Sequence, residues 1–231
     1  MIPWLADNTP FPPVEKALRS PDGLLAAGGD LSVSRLLEAY RHGIFPWFNP
    51  GEPVLWWSPD PRMALIPGEF RISRSLARVL RNRIFDVRID TAFEQVMRGC
   101  AAPRHGHGGT WIHEDMIAAY CALHRLGHAH SVEAWMDGRL AGGLYGVSIG
   151  HMFYGESMFS RASNASKVAM AHLAAQLERW HFGMIDCQMK TPHLASLGAR
   201  EIPRSEFIAR LRELVHCAPV PDWRFDADLF A

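Results

Sequence analysis

The feature that most constrains the fold of this chain is the uneven distribution of its prolines. Of the 16 prolines, ten fall within the first 61 residues. Proline fixes φ and removes a backbone donor, so this stretch is expected to form short elements joined by rigid turns. One helix is predicted here, from Ser32, which can cap it, to about His42. The pattern predicts a small N-terminal domain over residues 1–62 and a larger domain over residues 63–231.

The pattern of residues 63–231 predicts strands and helices in a mixed order, with one strong hairpin signal at the pair Asp137-Gly138. The main predicted elements are strands at Ser131–Met136, Arg139–Val147 and His151–Tyr154, a helix from Asn164 to about Trp180, and a strand at Met184–Gln188. A mixed sheet with a central hairpin, a long helix and a further strand resembles the GNAT acyltransferase architecture. The predicted fold class is therefore α+β, with a GNAT-like domain of mixed sheet flanked by helices beside the small proline-rich domain.

Charge and hydropathy narrow the range of partners. The 24 Lys and Arg residues balance the 24 Asp and Glu residues, so any nucleic-acid contact must come from a local basic patch. No apolar stretch is long enough to span a bilayer, and the N-terminus lacks the pattern of a signal peptide. None of the four cysteines forms a C-x-x-C pair. These observations predict a cytoplasmic protein without a membrane partner.

One local basic patch is a predicted helix. Arg74, Arg78 and Arg81 recur at the spacing of one helix face, and Arg83 follows them. The planar guanidinium group suits phosphate, because it can bind two oxygens at once. A solvated helix face is the alternative interpretation.

The pair Asp186 and Gln188 offers a carboxylate beside an amide. On a strand, residues two apart point to the same side, so both side chains are expected to face one surface. Such a pair can orient an amine nucleophile and polarise a carbonyl. The alternative is a polar strand end that the two side chains cap.

Glu156 lies in the segment Gly155–Ser160, which also carries two serines and follows an aromatic strand. The segment lacks the G-x-S-x-G elbow of a serine hydrolase, so a loop with a capping serine is the alternative. Trp47 and Trp111 carry indoles that can stack on nucleobases, with core packing as the alternative.

Histidine is abundant, with 12 residues, but its spacing does not predict a metal site. His105 and His107 lie in a glycine-rich loop, and Gly127 is expected to break the helix that would align His124 with His128. We expect no metal and no cofactor.

Several strings in one order resemble the bacterial leucyl/phenylalanyl-tRNA–protein transferase family over nearly the whole chain. They are Gly23–Leu31, Gly43–Phe48, Leu55–Arg62, Gly109–Ile112, Leu126–Ser131, Gly155–Ser160, Ile185–Gln188 and Ala195–Ala199. The resemblance implies an enzyme that moves leucine, phenylalanine or, less well, methionine from aminoacyl-tRNA to a protein that begins with Lys or Arg. Its product is marked for degradation by the N-degron pathway. We expect it to act as a monomer.

The resemblance also implies roles for individual residues. By position, Asp186 and Gln188 match the catalytic pair, and Glu156 matches an acceptor-peptide contact. Trp47 and Trp111 match the indoles that grip the terminal adenosine of the tRNA. The pocket for the transferred side chain is matched by Leu144, Phe153, Met158, Ser160, Leu173, Leu177 and Ile185. The acceptor stem of the tRNA is expected to contact Arg74, Arg78, Arg81 and Arg83.

Two other functions fit parts of the same pattern. An acetyl-CoA-dependent N-acetyltransferase needs a glycine-rich loop that cradles pyrophosphate at a helix start. The corresponding loop here, Ser160–Lys167, contains no glycine, so CoA is not expected. A non-catalytic RNA-binding module could use the arginines and tryptophans, but it leaves the polar pair near Asp186 unexplained.

Overall fold

The computed structural model describes residues 2–6, 9–103 and 110–230 and contains two β-sheets with seven α-helices in these ranges. The strands are β1 (Trp4–Leu5), β2 (Leu24–Gly28), β3 (Phe45–Pro46), β4 (Leu55–Trp57), β5 (Arg62–Leu65), β6 (Asp86–Ile89), β7 (Ala129–Met136), β8 (Arg139–Ile149), β9 (Met152–Ser160), β10 (Met184–Asp186) and β11 (Arg200–Ile202). The helices are α1 (Val33–Arg41), α2 (Arg74–Arg81), α3 (Phe93–Ala101), α4 (Glu114–Arg125), α5 (Ala165–Arg179), α6 (Pro192–Ser196) and α7 (Arg204–Leu214). None of these helices has both the length and the apolar character needed to cross a membrane.

The proline-rich segment folds into a small four-stranded sheet with the order β1-β2-β4-β3. Its strands are two to five residues long, as the prolines predict. Trp56 is fully buried in this sheet, and its indole Nε1 donates to the carbonyl of Gly28 over 2.8 Å. The predicted helix is α1, and the Ser32 hydroxyl caps it by accepting from the backbone N–H of Arg35. The division into domains at residue 62 stays a prediction.

The second sheet has seven strands in the order β11-β5-β10-β9-β8-β7-β6. The pairing of β10 with β9 is parallel and all the other pairings are antiparallel, so the predicted mixed sheet is confirmed. The predicted hairpin joins β7 to β8, and both turn residues, Asp137 and Gly138, have positive φ. That backbone matches the right-handed twist of the flanking strands, which is why Asp-Gly is favoured there.

Alternating side chains give the seven-stranded sheet two differently covered faces. One face packs on α5 and includes Leu144, Phe153 and Ile185. The other face packs on α1, α3, α4 and α7 and includes Tyr145 and Tyr154. We call these the α5 face and the α1 face. The predicted long helix therefore serves as the cover of one face only.

Two local predictions are wrong, and two short elements were not predicted. The strand predicted to end at Tyr154 continues as β9 through Ser160, so Glu156 lies on a strand and not on a loop. The strand predicted to reach Gln188 ends at Asp186, because Gln188 adopts φ of 54°, which an extended strand cannot accommodate. The short elements β11 and α6 were not predicted.

Candidate active site

A cleft opens where two neighbouring strands separate. β10 pairs with β9 only as far as Asp186 opposite Tyr154, whereas β9 continues to Ser160 paired with β8 alone. The cleft leads into a cavity of about 870 Å³. Residues from β8, β9, α5 and the segment after β10 line this cavity. Irregular backbone beside a split in the sheet thus leaves space for a ligand.

The floor of the cavity is apolar and belongs to the α5 face. Six of the seven predicted pocket residues line it: Leu144, Phe153, Met158, Ser160, Leu173 and Ile185. The seventh, Leu177, is fully buried in the same apolar cluster but does not line the cavity. Ser160 is engaged locally, since its hydroxyl donates to the carbonyl of Ala162 and accepts from the N–H of Ser166. Met170, Cys187, Met189 and Leu194 add to the lining and were not predicted.

Gln188 brings an amide to the wall of this cavity. Its backbone is held from two sides: the N–H donates to Asp186 Oδ1 over 2.9 Å, and the carbonyl accepts from the N–H of Met63 over 3.1 Å. Its side-chain Nε2 is buried and has no hydrogen-bond partner among the described residues. A buried donor without a partner costs free energy, so this amide is available to a ligand that offers an acceptor.

Asp186 does not face the cavity, and the expectation that it points the same way as Gln188 is wrong. The side chain is fully buried on the α1 face, and both of its carboxylate oxygens accept from Arg62. Arg62 Nε donates to Oδ1 over 2.8 Å, and Nη2 donates to Oδ2 over 2.6 Å. The left-handed backbone of Gln188 breaks the alternation of the strand, which explains why the two side chains part.

Glu156 lines the cavity and is held from the α1 face by two tyrosines. Tyr40 Oη donates to Oε1 over 2.7 Å, and Tyr120 Oη donates to Oε2 over 3.1 Å. The two hydroxyls also contact each other. Burial raises the pKa of Glu156 to about 7, and the two hydrogen bonds act in the opposite direction. A carboxyl with this pKa can hold or release a proton at neutral pH.

The other predicted site residues lie outside the cavity lining. Trp47 is 36% exposed and packs edge to face on Trp57, with ring centroids 5.4 Å apart. Trp111 is partly buried and packs against the core of the α1 face. The four arginines Arg74, Arg78, Arg81 and Arg83 are exposed on and just after α2, and none forms an ion pair with another described residue.

Sequence reasoning missed the residues that support the polar groups from behind. These are Arg62, Tyr40 and Tyr120. Arg62 lies 124 residues from Asp186 in the sequence, and Tyr40 and Tyr120 lie 116 and 36 residues from Glu156. A charged residue directly before the apolar residues Met63–Leu65 was the available signal for Arg62, because a charge that becomes buried requires a partner. Within residues 2–6, 9–103 and 110–230, no group of three His, Cys, Asp or Glu residues could hold a metal ion. His105 and His107 lie outside the described residues.

Comparisons with known proteins agree on one family. Residues 64–212 match the family model described as leucyl/phenylalanyl-tRNA protein transferase, and residues 29–60 match the model of its N-terminal domain. A leucyl/phenylalanyl-tRNA–protein transferase of Nitrosomonas europaea is 66% identical over 214 residues, which cover 93% of this chain and 91% of the relative. One of Thiobacillus denitrificans is 67% identical over 218 residues, which cover 94% and 96%. The chain belongs to the leucyl/phenylalanyl-tRNA–protein transferase family.

Proposed function

We propose that this enzyme moves leucine or phenylalanine, and less well methionine, from aminoacyl-tRNA to the N-terminal Lys or Arg of acceptor proteins. The product would be recognised by the N-degron pathway and degraded, and the enzyme would act as a cytoplasmic monomer. One observation carries the proposal: an apolar cavity on the α5 face ends at the carboxyl of Glu156 and at the amide of Gln188, whose buried Nε2 has no hydrogen-bond partner in the described part of the chain.

The apolar floor supports selection of an apolar side chain. Leu144, Phe153 and Leu173 offer hydrocarbon surface to a leucyl or phenylalanyl group, and burial of that group is favourable in proportion to its apolar area. One methylene is worth only about 1–3 kcal/mol in such a pocket, so discrimination between similar donors is expected to be modest. The cavity volume of about 870 Å³ leaves room for part of the terminal nucleotide as well.

The chemistry is an exchange of an ester for an amide. The acceptor's amine nitrogen attacks the carbonyl carbon of the aminoacyl ester, and the bond to the ribose oxygen breaks. The free tRNA hydroxyl leaves with the proton that the amine loses. No cofactor enters, because conversion of an ester to an amide is downhill.

Gln188 and Glu156 have complementary tasks in this step. The free Nε2 of Gln188 would donate to the carbonyl oxygen, where negative charge develops as the amine attacks. Glu156 would hold the acceptor's amine beside the ester. An α-amino group has a pKa of about 8, close to the pKa of about 7 for Glu156, so a proton can pass between them at neutral pH. Asp186 would act from behind the wall, through the backbone of Gln188.

The acceptor stem and the terminal adenosine would lie outside the cavity. The exposed arginines Arg74, Arg78, Arg81 and Arg83 suit the phosphates of the stem, because none of them is paired with a carboxylate within residues 2–6, 9–103 and 110–230. Trp47 and Trp111 are proposed to stack on the terminal adenosine.

The decisive experiment mixes labelled Phe-tRNA with peptides that begin with Lys, Arg or Ala. We expect transfer to the first two only, and loss of transfer at least tenfold in Gln188→Ala. Leu126→Ala, which changes an exposed side chain outside the cavity lining, is the matched control and should retain wild-type rates. Transfer to all three peptides alike would refute the proposed acceptor, and absence of transfer would refute the reaction. Sedimentation of the enzyme alone tests the monomer.

A further inference from the structure

Arg62 is the most completely enclosed cation in the part of the chain that the structure describes. It is 1% exposed, at the start of β5, and belongs to the same face of the sheet as Asp186. Its guanidinium lies between the ring of Phe45 at 4.8 Å and the ring of Phe207 at 4.7 Å. The small sheet and α7 thus supply one ring each. Cation–π contacts of this kind fix the plane of the guanidinium.

The bonds from Arg62 lead directly to the cavity wall. Arg62 donates to both oxygens of Asp186, and Asp186 Oδ1 also accepts from the backbone N–H of Gln188. Gln188 has φ of 54°, a conformation that residues other than glycine seldom adopt without support. The carboxylate that Arg62 fixes is therefore one of the two groups that hold this backbone in place.

Stability alone does not account for this arrangement. A buried ion pair loses hydration on both sides, and well-packed apolar residues of similar volume are often at least as stabilising. Arg62 Nη1 is buried and has no hydrogen-bond partner among the described residues, which adds a further cost. A fixed, bidentate geometry is what a guanidinium supplies and an apolar side chain cannot.

We infer that Arg62 is a positioning residue for aminoacyl transfer: it fixes Asp186, which fixes the backbone of Gln188 and aims its amide at the ester carbonyl. This inference rests on the proposed function of Gln188. Arg62 itself does not line the cavity. The influence that Arg62 exerts through its contact with Asp186 therefore passes through Gln188.

The test measures Arg62→Lys in two backgrounds, one with Gln188 and one with Gln188→Ala. Lysine keeps the charge but cannot bind both carboxylate oxygens in the plane. With Gln188 present, we expect kcat to fall by roughly 10- to 100-fold, since small misplacements of a reacting group have effects of this size. The KM values for Phe-tRNA and for an Arg-peptide should stay within twofold. In the Gln188→Ala background, Arg62→Lys should change kcat by less than twofold.

Equal losses in both backgrounds, or a rise in KM at constant kcat, would overturn the inference, because a general structural defect acts regardless of Gln188. Hydrogen exchange at the backbone N–H of Gln188, which donates to Asp186, is a readout that does not depend on activity. Protection of this backbone N–H from exchange should fall at least tenfold in Arg62→Lys, and unchanged protection would also overturn the inference.

Folding of the variant is checked by thermal unfolding. If Arg62→Lys does not fold, the double variant Arg62→Met/Asp186→Leu, which removes both charges, is measured in the same two backgrounds with the same criteria. If the wild type and Gln188→Ala both transfer at normal rates, the positioning role is rejected and the transfer reaction still stands. A wild-type enzyme without transfer would reject the proposed function itself.

Discussion

The two faces of the seven-stranded sheet meet at the same cleft but contribute different kinds of side chain to it. The α5 face contributes an apolar floor, including Phe153, Leu173 and Ile185. The α1 face buries the Arg62–Asp186 ion pair and surrounds Glu156 with tyrosine hydroxyls. Apolar packing tolerates exchange of similar volumes, whereas a buried charge depends on one specific partner. The face that selects the donor should therefore be easier to alter than the face that positions the reacting groups.

The largest expected effect comes from breaking the ion pair on the α1 face. Asp186→Leu leaves Arg62 buried without its partner, which should destabilise the protein by about 3–5 kcal/mol. The double variant Arg62→Met/Asp186→Leu should recover most of this loss, because neither charge remains to be desolvated. Urea unfolding of the wild type and the two variants measures the difference. A double variant no more stable than the single one would show that the pair itself, and not the unpaired charge, supplies the stability.

Only part of this comparison could be predicted from the sequence. The α5 face follows from short-range patterns: the hairpin, the long helix after it and the apolar positions along both. The α1 face depends on contacts between distant positions, such as Arg62 with Asp186, 124 residues apart. A carboxylate in a buried strand needs a cationic partner, but the chain offers 24 Lys and Arg residues, and the sequence does not indicate which of them is the partner.

The direction of Gln188 could not be predicted for a related reason. The string Ile185–Gln188 has no glycine or proline to mark the end of a strand, so alternation extends naturally to Gln188. The backbone turns because Asp186 accepts the Gln188 N–H, which is a local contact, and Met63 donates to the Gln188 carbonyl. The Met63 contact and the Arg62 side chain that fixes the Asp186 carboxylate both come from tertiary structure. Local propensity yields to such contacts.

A pH-dependent effect on the α1 face is next in size. Glu156 has its pKa raised from 4.5 to about 7 on folding, so the folded protein binds a proton that the unfolded chain releases between these values. Stability should therefore fall as pH rises from about 4.5 to about 7, by roughly 3 kcal/mol. Glu156→Gln should remove this slope and be more stable than wild type at pH 8, but not at pH 4.

Thermal unfolding across this pH range measures the Glu156 effect, with Glu15→Gln as the control at an exposed site. The control should follow the wild-type curve. If Glu156→Gln also follows it, the carboxyl is hydrated in solution and the contrast between the two faces is weaker than the buried contacts suggest.

The donor-selecting face can be tested through Met158, which lines the cavity and is only partly buried. Met158→Ala should enlarge the pocket and change the ratio of rates for Phe-, Leu- and Val-tRNA by a factor that corresponds to about 1–3 kcal/mol. Met136→Ala, at the end of β7 and outside the cavity lining, is the matched control. Unchanged rates for Phe-, Leu- and Val-tRNA in Met158→Ala would remove Met158 from the pocket.

The smallest effect on the free energy of unfolding is expected on the outer surface, away from both faces. The effect expected there on tRNA binding is purely electrostatic. Arg74, Arg78 and Arg81 are exposed and form no ion pair with a described residue, so changing all three to glutamine should alter stability by no more than about 0.5 kcal/mol. If they contact phosphates, each contact releases a counterion when tRNA binds. The slope of log affinity against log salt should then become shallower by roughly 2–3. The control replaces three exposed arginines elsewhere, Arg125, Arg139 and Arg212, with glutamine. An equal change of slope in the control would mean that tRNA senses only the net charge, whereas a change confined to α2 would identify this helix as the phosphate-binding surface.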